Sequence, residues 1–144
     1  MNSSNIILVA YIERYLDFHK DGVICWFCSR KGELEEQSKE KMEHFAPTLK
    51  TGNVFDILNT GFESATTYFI NWETITKKDN TAIRDSERKK FFERISEAHN
   101  RNLNFIVIID EEHQNNTSKA YDIISSINSK YEIRVSETPK KRVV

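Results

Sequence analysis

Phe105-Ile106-Val107-Ile108-Ile109 runs directly into Asp110-Glu111-Glu112-His113. Five apolar residues, three of them isoleucine and one valine, read as a strand buried on both faces of a parallel sheet. Four ionisable residues follow at its C-terminal end, the edge where open α/β sheets bind ligands. Paired carboxylates there suit a nucleotide-bound divalent metal. One holds the cation through water and the other positions an attacking water. An acidic helix N-terminus, favoured by the helix dipole, reads from the same residues. Both readings stay open on this stretch alone.

Working outward, the chain alternates. Residues from about Ile6 to Phe18 form a helix with Leu8, Ile12, Tyr15 and Leu16 on one face and Ser3 or Ser4 placed to cap it. Gly22 breaks that pattern, and Val23 to Cys28 make a strand. Glu33 to Phe45 is amphipathic helix, with Leu34, Met42 and Phe45 inward, stopped by Pro47. Val54-Phe55 is expected to be extended, ahead of a helical turn around Ile57 and Leu58. Thr67 to Asn71 is a further β-rich strand. After a polar loop from Lys77 to Asn80, Glu87 to Asn100 is helix through Phe91, Phe92, Ile95 and Ala98. The Phe105–Ile109 strand then leads to a helix from Thr117 to Ile127 and a last strand from Glu132 to Val135. Strands separated by helices of this length imply βαβ units in a largely parallel, three-layer sheet.

Bulk composition narrows the class. At 144 residues the chain is long enough for one proper core and short for two domains. Hydrophobic content of 38% with 9 Phe predicts a folded protein, and only 4 Gly and 2 Pro argue against a loop-rich β architecture. A formal net charge of -1 gives nucleic-acid binding no support from bulk charge, so any such contact must rest on local patches. The run from Ile6 to Ile12 lacks a basic flank and meets Glu13 and Arg14 too soon to span a bilayer, so the chain reads as cytoplasmic, with no membrane partner. Cys25 and Cys28 form a C-x-x-C inside an apolar strand, which points them to opposite faces. Neither a redox turn nor a zinc set fits, and they read as buried cysteines.

With these pieces in order, the chain resembles the first RecA-like motor domain of superfamily 2 helicases. More narrowly it is similar to the restriction (Res) subunit of type III restriction-modification enzymes and its DEAD/DEAH relatives. The matching words are Lys31-Gly32-Glu33-Leu34-Glu35-Glu36-Gln37-Ser38, Phe69-Ile70-Asn71-Trp72-Glu73, Phe105 through His113, and Arg134-Val135-Ser136-Glu137-Thr138-Pro139-Lys140. The resemblance covers nearly the whole chain, and the ordered pair D-E-x-H and S-x-T-P is its specific part. It implies an α/β fold of three αβα layers, RecA-like and of the P-loop NTPase type, over residues 1–144.

By the same resemblance, Asp110 would hold Mg2+ through water, Glu111 would activate the attacking water, and His113 would couple nucleotide state to the motor. Ser136 and Thr138 would link hydrolysis to DNA movement. Ser29, Arg30 and Lys31 fall where the family touches the nucleic-acid backbone, and a basic, hydroxylated turn suits phosphates; a solvated turn reads equally well. Asn71 is either a backbone contact or a strand-end turn residue. ATP and Mg2+ are the implied cofactors. Duplex DNA and the modification subunit are the implied partners.

Two positions depart from the family pattern. Glu137 stands where the family usually has a small alanine, adding a carboxylate near the implied metal. More consequentially, the family's G-x-x-x-x-G-K-[ST] phosphate loop precedes the helix that begins near Ile6, and here Met1-Asn2-Ser3-Ser4-Asn5 stands instead. Those residues supply neither the glycine conformations nor the lysine that a phosphate cradle needs. The expectation is a partial motor domain, incomplete at the N-terminus, hydrolysing little or no ATP alone. The alternative is a non-catalytic DNA- or subunit-binding module derived from that domain. A metal-dependent hydrolase is disfavoured, since His19, His44 and His99 share no ligand spacing with His113. Without the phosphate-loop strand, the sheet is expected to carry a vacancy beside Phe105–Ile109 and Glu132–Val135, or an exposed edge, and to self-associate.

Overall fold

The computed structural model describes residues 3–28, 40, 42–44, 46–76, 85–110 and 118–135. Its elements in chain order are α1 (Ser3–Phe18), β1 (Gly22–Cys28), β2 (Lys50–Asn53), α2 (Val54–Thr60), β3 (Thr66–Asn71), α3 (Trp72–Thr76), α4 (Asp85–Asn100), β4 (Asn104–Asp110), α5 (Ser118–Ile127) and β5 (Tyr131–Val135). The strands form one sheet in the order β2-β3-β1-β4-β5, and every described pair is parallel.

Strand alternation divides the core into two. On β1, Val23, Cys25 and Phe27 face one side with Phe105, Val107 and Ile109 of β4 and with Tyr68 and Ile70 of β3. Helices α2, α3, α4 and α5 cover that side through Val54, Ile57, Trp72, Ile75, Phe91, Ile95, Ala98, Ala120, Ile123 and Ile127. Ile24, Trp26, Phe69, Ile106 and Ile108 face the other side, against Leu8, Val9, Ile12 and Leu16 of α1 and against Met42 and Ala46. This gives the three layers, and it explains why β1 and β4 carry unbroken apolar runs: both are central and buried on both faces. Each such large side chain contributes about 1.5–3 kcal/mol by leaving water.

Several expectations are corrected. Val54-Phe55 is not extended but opens α2. Asn53 accepts hydrogen bonds from the Phe55 and Asp56 backbone N–H groups, while the Asp56 carboxylate accepts from the Asn53 N–H, a reciprocal capping box. The extended piece lies just before it, in β2. Helix α1 starts at Ser3, so Ser3 and Ser4 sit within its first turn rather than ahead of it. No vacancy separates the described strands, because β4 pairs with β1 on one side and β5 on the other. The edges of the described sheet are β2 and β5. Of the helix expected from Glu33 to Phe45, residues 40 and 42–44 are helical and the remainder lies outside the described residues, as does the expected loop from Lys77 to Asn80.

Candidate functional site

Parallel strands end on the same side of a sheet, and the register shows how closely these ends align. Cys28 pairs with Asn71, Phe27 with Ile109, and Asp110 with Val135. Carrying the β1–β4 register one residue on sets Asp110 beside Cys28. Asn71, Cys28, Asp110 and Val135 therefore form one row across four strands, roughly 14 Å from end to end at the usual strand spacing. From three of these positions the chain continues into Ser29, Glu111 and Ser136.

Connectivity singles out one point on that edge. The chain leaving β1 passes over the α1 side, where Met42 and Ala46 pack, to reach β2 and then β3. The chain leaving β4 passes over the opposite side through α5 to reach β5. Neighbouring strands whose outgoing connections diverge to opposite faces open a crevice between their C-terminal ends, the topological switch point at which such sheets bind ligands. Here it lies between Cys28 and Asp110.

Of the residues singled out from sequence, Asn71 is described in full and Asp110 by its place in β4. Glu111, His113, Ser29, Arg30, Lys31, Ser136 and Thr138 lie outside the described residues. Asn71 is 2% exposed, and its side-chain oxygen accepts a hydrogen bond of 2.8 Å from the Glu73 N–H. It thus closes the turn from β3 into α3, the strand-end role its position suggested. Cys28, in the same row, donates its thiol to the Ile70 carbonyl at 3.6 Å. Burial pushes the Cys25 thiol well above the ordinary thiol range, which suppresses the reactive thiolate. Among the described residues, no group of three or more His, Cys, Asp or Glu is placed to hold a metal ion.

Two residues that the sequence reading gave no role brace this edge. Trp72 is buried and stacks on Phe27, ring centroids 4.2 Å apart and planes 16° apart, tying the first turn of α3 to the end of β1. Arg88 of α4 donates its Nε to the Ile75 carbonyl at 2.7 Å and pairs with Asp85 at 2.9 Å, securing α3 from the far side. The aromatic run Tyr68-Phe69-Ile70-Asn71-Trp72 could have signalled the first of these; an arginine in a charged helical turn carries no such signal. A cavity of about 1040 Å3 among the described residues opens at the opposite end of the sheet, beside Asp17, Lys20 and Lys50, and is unrelated to this row.

An all-parallel sheet with helices on both faces and an acidic residue ending β4 at the switch point is the architecture of a doubly wound α/β domain, the class that includes RecA-like motors. The family model for the type III restriction enzyme, res subunit, matches residues 6–141, and the chain belongs to that family. Neither the curated proteins nor the solved structures yield a match. No helix among the described residues is long and apolar enough to cross a membrane.

Proposed function

We propose that these residues form the acidic-motif and DNA-facing part of a Res-subunit motor whose ATP hydrolysis drives movement along duplex DNA in the cytoplasm. Duplex DNA and the modification subunit are its partners. The observation that carries this reading is the row Asn71–Cys28–Asp110–Val135, with the switch point between β1 and β4. It supports a single working edge for four segments that are far apart in sequence.

In this reading Asp110 would hold Mg2+, which would supply charge neutralisation at the phosphates. Glu111 would orient the attacking water, His113 would couple nucleotide state to the motor, and Ser136 and Thr138 would link hydrolysis to DNA movement. A carboxylate at a strand end suits a hydrated magnesium ion, which keeps most of its waters. The nucleotide fits less well. The 144 residues contain no G-x-x-x-x-G-K-[ST], so the phosphates find no cradle of glycine amides and lysine among them. The chain alone is therefore assigned no hydrolytic step.

Ser29, Arg30 and Lys31 take the DNA backbone, with Asn71 holding the adjoining turn. Titrating a fluorescent duplex against the chain at several salt concentrations tests this. Binding should weaken with salt, and Arg30→Ser/Lys31→Ser should lower the slope of log K against log salt by about 2, near 0.9 per phosphate contact. An unchanged slope would remove these residues from the DNA contact.

A further inference from the structure

The β5 edge carries a pattern that the motor reading does not use. Among the described residues β4 is the one strand that pairs with β5, which leaves its outer backbone without a described strand partner. The strand is two-sided. Ile133 and Val135 pack on the α1-side core, with Tyr131 half-exposed beside them. Glu132 and Arg134 lie on the other face, joined at 3.2 Å, with side chains 36% and 38% exposed. On the α1 side Tyr11 is exposed and stacks on Tyr15, which packs on the same core as Ile133 and Val135.

We propose that this edge binds a second copy of the chain, β5 against β5, antiparallel about a two-fold axis through Ile133. An isologous contact must be self-complementary, and this register is. It sets Glu132 opposite the partner subunit's Arg134, and Arg134 opposite the partner subunit's Glu132. On the other face it sets Tyr131 opposite the partner subunit's Val135, with the two Ile133 side chains meeting at the axis. Directly opposed residues of opposite charge stabilise an antiparallel pair, and like charges there destabilise it. The far edge of the sheet offers no comparable surface. β2 has four residues, Lys50-Thr51-Gly52-Asn53, and a charged, glycine-containing edge resists pairing. Association therefore closes at two copies instead of continuing into a filament.

The test is a charge-swap series followed by sedimentation velocity over a range of concentrations, with far-UV circular dichroism to establish that each variant is folded. The wild-type chain should sediment with the mass of two copies. Glu132→Arg and Arg134→Glu should each weaken the dimer by roughly tenfold, since two opposed pairs become two like-charge contacts. The double variant Glu132→Arg/Arg134→Glu should restore it. A wild-type chain that stays monomeric at its highest soluble concentration would overturn the proposal. So would single variants that associate as well as wild type, or a double variant that fails to recover.

Discussion

Replacing Trp72 with alanine probes the joint between the hydrophobic core and the working edge. The indole is 2% exposed and lies 4.2 Å from the Phe27 ring, within a cluster that includes Ile75 and Phe91. Truncating a well-packed tryptophan to alanine costs about 3–5 kcal/mol, because the lost burial is compounded by the cavity left behind. Within that figure, about 0.5–1.5 kcal/mol belongs to the ring pair itself. Set against the ~5–15 kcal/mol that holds a typical domain together, Trp72→Ala should remove roughly a fifth or more of the stability. Urea unfolding followed by far-UV circular dichroism measures this without relying on the fluorophore being deleted. The midpoint should fall with the m-value unchanged. A double-mutant cycle with Phe27→Leu should return a coupling within the ring-pair range. A loss for Trp72→Ala below about 1 kcal/mol would mean the indole is not buried, and the bracing of the edge by α3 would fail with it.

Cys25 predicts a pH dependence. Its thiol is held protonated in the fold by burial, while the unfolded chain ionises near the ordinary value of about 8.5. The folded pKa is therefore the higher one, so this stabilisation is complete below the unfolded pKa and is lost as pH rises above it, by about 1.4 kcal/mol per pH unit. Cys25→Ala should flatten stability profiles measured between pH 8 and 10, and an unchanged slope would contradict the burial. Asp110→Asn/Glu111→Gln should change stability by less than about 1 kcal/mol, because strand-end carboxylates close to one another gain little from their charge; a loss above about 2 kcal/mol in urea unfolding would show that they hold a structural network.

The two central strands were legible because burial on both faces leaves nothing polar to blur the pattern, as in Val23 to Cys28 and Phe105 to Ile109. Helices α1, α4 and α5 were legible from apolar spacing, and the order of alternation was enough for the layers. The misses share a cause. β2 is an edge strand of Lys50, Thr51, Gly52 and Asn53, whose pairing with β3 comes from tertiary context and not from its own propensities. Its neighbour Val54-Phe55 then looked extended, although Asn53 and Asp56 three residues apart are a helix-start signature. Of the two expected outcomes, a vacancy or an exposed edge, the described strands show no vacancy; strand order is invisible in a linear pattern. Nothing local reveals that β4 sits between β1 and β5 and that the open position falls at the outside. For the site, D-E-x-H begins at the last residue of β4. Only the register reveals that Asn71, Cys28 and Val135 share its row.

A titration of the chain with a fluorescent ATP analogue in the presence of magnesium bears most directly on the central claim, a motor-domain edge without a phosphate cradle of its own. Weak, metal-dependent binding with no saturation in the low micromolar range is the predicted result. A dissociation constant of about 1 μM, worth about -8 kcal/mol, would require a phosphate cradle built from these 144 residues and would contradict the account.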